Sequence, residues 1–146
     1  MLGDIYAGGQ GAPQDYAKAV KWYRLAAQQG NAEAQTSLGS MYDKGQGVPQ
    51  DYAEALRWFR LAAQQGNAAA QYGLGIAYAQ GQGVPQDYVA AYKWSALAKG
   101  AAKPASKAYK AASANMAALA TMMIPAQIAQ AQQQASAWWA AHHKGG

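Results

Sequence analysis

Several side chains in this 146-residue chain are candidates for catalysis or ligation. Carboxylates recur at Asp15, Asp51 and Asp87, and the pairs Gly45-x-Gly47 and Gly81-x-Gly83 have the outline of phosphate-cradling loops. Ser37, Ser40 and Ser95 are potential nucleophiles, and His142 with His143 could ligate a metal. In each case the spacing fits a structural role better. The three aspartates stand 36 residues apart, once per repeat, which suits helix capping and not a paired-carboxylate mechanism. No strand precedes the glycine pairs and no P-loop Lys-Ser/Thr follows them, so they read as helix breakers. The serines have no neighbouring Lys or His to activate them. Adjacent histidines cannot share one helical face, and a chain with no cysteine offers nothing to complete a site. We therefore expect no catalytic residue, no cofactor site and no metal site, and not an enzyme.

The elements that position these residues follow from the period. The same offset of 36 aligns Trp22, Trp58 and Trp94, then Pro13, Pro49 and Pro85, then Gly11, Gly47 and Gly83. Units of this size cannot bury their own apolar face and must stack on neighbours, which is the mark of a solenoid. Tryptophans that recur with the period of the fold belong to the core. Ala, Gln and Gly abound while strand-favouring Val, Ile and Thr are scarce, so the expected fold is all-α. We divide one helical-repeat domain, 1–146, into a truncated repeat at 1–30, full repeats at 31–66 and 67–100, a degenerate repeat helix at 101–122 and a closing helix at 125–142.

Within the unit 31–66, Asn31 can cap a helix A over roughly 32–43, with Ala34, Leu38 and Tyr42 recurring every four residues. Gly39, repeated by Gly75 and Gly3, lies on the same side and predicts close approach of a neighbouring helix. The segment from Lys44 to Gln50 breaks the helix with two glycines and a proline. Asp51 then caps a helix B over about 51–65, and Glu54 predicts a full capping box. Tyr52, Ala55, Leu56, Phe59, Ala62 and Ala63 form its apolar stripe, Trp58 lies beside it, and Gly66 ends it.

The string Ala-x-x-x-Leu-Gly-x-x-Tyr-x-x-Gly-x-Gly-Val-Pro-x-Asp-Tyr-x-x-Ala-x-x-Trp, from Ala34 to Trp58 and again from Ala70 to Trp94, resembles the Sel-one-like repeat. That family is related to the tetratricopeptide repeat, with a longer loop between its two helices. The resemblance covers Leu2 to about Leu97. It implies antiparallel helix pairs stacked into an α/α superhelix with A helices on the concave side, and it implies bacterial scaffold or adaptor work. A cysteine-rich branch of the family is associated with binding and slow hydrolysis of β-lactams. This chain lacks those cysteines.

At the N-terminus, Leu2, Gly3 and Tyr6 match Leu38, Gly39 and Tyr42, so the first helix A is cut short. The following helix B is expected to show some of Tyr16, Trp22 and Leu25 to water, so this end reads as that of a fragment of a longer repeat protein, with self-association through it the second expectation. Beyond Trp94 the pattern degrades: Gly100 stands two residues early as a helix terminator, and a longer helix A begins near Pro104 and runs to about Thr121. Pro125 opens the last helix, to about His142, with Ile128, Ala131, Ala135, Trp138 and His142 on one stripe. Gly145 and Gly146 read as a frayed or added tail.

Seven basic and seven acidic residues balance through Leu97, whereas Ala98 onward carries five lysines and no acid. No basic n-region or long apolar run marks a signal or membrane span, and the compartment stays open. Positions that vary while the frame stays fixed supply the partner surface: Glu33, Thr36, Ser37, Ser40 and Lys44 in one helix A, and Ala69, Tyr72, Gly73, Ile76 and Gln80 in the next. Lys103, Lys107 and Lys110 continue that face on the degenerate helix. Such a groove suits a protein or peptide with an acidic end and an apolar anchor. A short basic stripe without arginine argues against nucleic acid. Trp138 and Trp139 with only Lys144 beside them make a membrane-surface role weaker than a protein partner.

Overall fold

The computed structural model describes residues 2–8 and 15–143. Gly11, Pro13, Lys144, Gly145 and Gly146, and the side chains of Leu2 and Tyr6, lie outside the described set. Eight helices account for the described residues: α1 (Leu2–Gly8), α2 (Tyr16–Gln28), α3 (Ala32–Lys44), α4 (Tyr52–Gln64), α5 (Ala68–Gln80), α6 (Tyr88–Ala101), α7 (Lys107–Ala120) and α8 (Pro125–His142). The chain divides into two compact units, Met1–Gln65 and Gly66–Gly146.

Local sequence chemistry fixes where the helices begin. Asp15, Asp51 and Asp87 each sit in extended backbone and accept the N–H of the third residue onward, as do Asn31 and Asn67. The loops carry left-handed glycines at Gly45, Gly47, Gly81 and Gly83, a conformation that costs a glycine little. The full capping box expected at Asp51 does not form. The Asp51 N–H instead donates to the Tyr42 carbonyl at 2.9 Å, tying the loop back to α3, and the Glu54 carboxylate turns to Arg57 at 3.1 Å. Asp87 repeats that tie to the Tyr78 carbonyl.

In the first unit α2 packs against α1 and α3, and α3 against α4. Its core joins Ala19, Val20, Tyr23, Ala27, Ala34, Leu38, Met41 and Trp58. The glycine on helix A does what its position implied: a Cβ on Gly39 would stand 2.8 Å from the Phe59 ring and 3.2 Å from the Ala55 carbonyl. In the second unit α6 is the hub, packed against α5, α7 and α8 around Ala91, Tyr92, Leu119, Met123 and Ala131. There Gly75 meets the Ser95 hydroxyl, which occupies the place of Phe59 and accepts a hydrogen bond from Asn115 at 2.7 Å.

Two boundaries differ from expectation. Gly100 does not end helix B; it keeps a right-handed backbone, α6 runs through it to Ala101, and Ala102 turns to extended backbone. The next helix begins at Lys107 and not near Pro104. Ala105 takes a left-handed φ of 63°, which breaks helical continuity, and Ser106 then caps a new start by accepting the Tyr109 N–H.

Candidate functional site

On α3 the frame and the variable positions separate by burial. Ala34, Gln35, Leu38, Gly39 and Met41 are buried, while Glu33 and Lys44 are exposed and Thr36, Ser37 and Ser40 keep partial access. The same division repeats on α5. Ala70, Gln71, Leu74, Gly75 and Ala77 are buried, Ala69 and Gln80 are exposed, and Tyr72, Gly73 and Ile76 are half-buried. Each face therefore offers a strip about one helix wide with chemistry that differs between repeats: hydroxyls and charge on α3, an aromatic and an aliphatic side chain on α5.

A candidate side chain is already engaged within the fold. Thr36 donates its hydroxyl to the Ala32 carbonyl at 2.9 Å. The Tyr23 phenol donates to the Asp4 carboxylate at 2.6 Å, and Ser37 lies beside it. Burial of Tyr23, together with that carboxylate acceptor, pushes its pKa up to about 12. Ser95 is a buried acceptor for Asn115.

The lysine ladder is corrected in part. Lys107 and Lys110 are exposed on α7 three residues apart, but Lys103 lies in the loop before that helix, where its carbonyl accepts the Ser106 N–H. The reason is the break at Ala105, which ends any shared register between Lys103 and α7. Tyr109 is held from behind by Lys99, whose ammonium lies 5.2 Å from the ring centroid.

The tryptophans also sort themselves. Trp58 and Trp94 are core residues, and Trp138 meets Trp94 edge-on at 5.9 Å, so it faces α6. Of the three that recur with the period, Trp22 is the exposed one, at 36%, and Trp139 on α8 is exposed as well. His142 stacks on Trp138 at 3.8 Å and His143 on Trp139 at 3.7 Å, each with its Nδ1 at the carbonyl four residues earlier. The Trp-x-x-x-His spacing, present twice in register, was the sequence signal for these stacks. Among the described residues no three His, Cys, Asp or Glu side chains converge, and no helix is long and apolar enough to cross a membrane.

Two concave surfaces lie away from the expected strip. One, of about 360 Å³, lies along α2 and is lined by Val20, Lys21, Arg24, Leu25 and the loop residue Val48. The other, of about 370 Å³, lies between α6 and α8 and is lined by Ala96, Leu97, Gly100, Ala135 and Trp139. None of the candidate partner residues lines either surface.

Comparison with known proteins is consistent with this geometry. The Sel1 repeat family model matches three times, at residues 1–31, 32–67 and 68–99. A protective antigen of uropathogenic Escherichia coli displaying an SLR fold is similar at 49% identity over 70% of this chain, with a TM-score of 0.68. A Sel1 repeat protein from Oxalobacter formigenes is similar at 33% identity over 79% of this chain, with a TM-score of 0.71. The chain spans 22% and 43% of the lengths of those two proteins. No curated protein matches it.

Proposed function

The chain belongs to the Sel1 repeat family, which commonly mediates protein–protein interaction, and on that premise we propose that it is a non-catalytic scaffold binding a protein or peptide on its A-helix faces. The observation that carries this reading is the division of burial on α3 and α5. The buried positions hold nearly the same residue types in both repeats, while the accessible ones change from Ser40 to Ile76 and from Lys44 to Gln80. A surface that varies on a fixed frame serves recognition, since catalysis would need convergent polar groups. Tyr72 and Ile76 supply apolar anchors in the second unit, and Lys107 and Lys110 favour an acidic partner segment there.

A photo-crosslinking amino acid placed at Tyr72 tests the reading. It should trap a discrete partner in cells, and Ile76→Asp in the same chain should abolish the product. Equal trapping from the exposed helix-B position Arg57 would overturn the assignment of the face. Nitrocefin turnover separates this reading from the β-lactam one. A rate well above a buffer blank that disappears on Ser40→Ala would reject the non-catalytic proposal.

A further inference from the structure

The repeat frame allows one surface to be compared with itself in three settings. Leu25, Leu61 and Leu97 hold the same place on the three B helices α2, α4 and α6. Leu25 is 47% exposed and Leu61 46%, but Leu97 is 3% exposed. The difference is α8, whose Ala135 and Trp139 share a concave surface with Ala96, Leu97 and Gly100. In register, Ala96, Leu97 and Gly100 correspond to Arg24, Leu25 and Gln28 of α2, and all three of those line the open α2 groove. The chain itself thereby records what this stripe accepts: a helix presenting small residues and one large aromatic.

The α2 stripe differs from its α6 counterpart at Arg24, which stands where α6 has Ala96, whereas Lys21 and Lys93 are both cations. Lys21 and Arg24 line the groove, and among the described residues no carboxylate does. On α4 the cation equivalent to Lys21 is Arg57, which is paired with Glu54 at 3.1 Å. On α2 the residue equivalent to Glu54 is Lys18, so that neutralising partner is replaced by a third cation. The Arg24 guanidinium is oriented by donating to the Tyr42 hydroxyl at 2.7 Å. A helix seated here as α8 seats on α6 would bury Leu25 and Val48 and would place its flank against two positive groups.

We propose that the α2 groove is a second docking site, distinct from the A-helix faces, for an amphipathic partner helix with a small-residue apolar face and carboxylates along its edge. A second copy of this chain is the poorer fit. Its α8 has the right small-residue character but no acid, and neither has its α7.

The probe is a fluorescein-labelled helical peptide of Ala, Leu and Gln carrying Glu along one edge, titrated with the full chain by anisotropy. Its Glu→Gln counterpart should bind at least about tenfold more weakly, and added salt should weaken the Glu peptide. Lys21→Glu, an exposed substitution that leaves the core untouched, should lower affinity several-fold. Leu25→Asp should abolish binding, whereas Leu61→Asp and Tyr72→Ala should leave it unchanged, which keeps this test separate from that of the A-helix faces. Equal binding of the two peptides would overturn the proposal, and so would loss on Leu61→Asp but not on Leu25→Asp. Concentration-dependent dimerisation abolished by Leu25→Asp would assign the groove to a second copy and also overturn it.

Discussion

Phe59 lies directly across Gly39, with ring carbons 2.8 and 2.9 Å from where a Cβ would stand. The same relation holds for Tyr23 across Gly3, at 2.7 Å. In exposed helix an alanine is favoured over glycine by about 1 kcal/mol. Here the ring is buried and the Ala55 carbonyl closes the other side, so the helix gain is outweighed by overpacking. Gly39→Ala should destabilise the chain by roughly 1–3 kcal/mol in urea unfolding. A stabilised variant would show that the hairpin is looser than this contact requires.

The Tyr23 phenol predicts a defined alkaline transition. Its folded pKa, raised from 10.0 to about 12, lies above the unfolded value. The stabilisation is therefore fully present below pH 10 and is lost as pH rises through the window between the two values. Spectrophotometric titration should show a late phenolate step that Tyr23→Phe removes.

Capping at helix B should rest on the aspartate alone. Asp51→Ala removes the acceptor for the Glu54 N–H and should cost about 1 kcal/mol. Glu54→Gln should cost under about 0.5 kcal/mol, because it removes only an exposed pair with Arg57 and no reciprocal cap. Equal costs in thermal unfolding would mean that the box forms in solution.

Ala105 holds the left-handed φ of 63° that separates α6 from α7. A Cβ is penalised there and a glycine is not. Ala105→Gly should be neutral or stabilising by up to about 1 kcal/mol, although the same exchange in the α7 interior, Ala112→Gly, should destabilise by at least that amount. Denaturant midpoints for the pair check both signs.

Features that depend on neighbours along the chain were legible from residue type and spacing. The period, the Asp and Asn caps, the left-handed loop glycines and the close approach at Gly39 all follow from residue type and spacing, because each acts within a few residues or repeats with the unit. Tertiary structure decided what depends on which surface arrives from elsewhere. Leu25 and Leu97 are the same residue at the same register, yet only Leu97 is covered, since α8 packs on α6. Lys103 lost its place on a helix face through one backbone angle at Ala105. Spacing specifies the geometry of a hairpin, but burial and pairing are sums over contacts that only the packed chain defines.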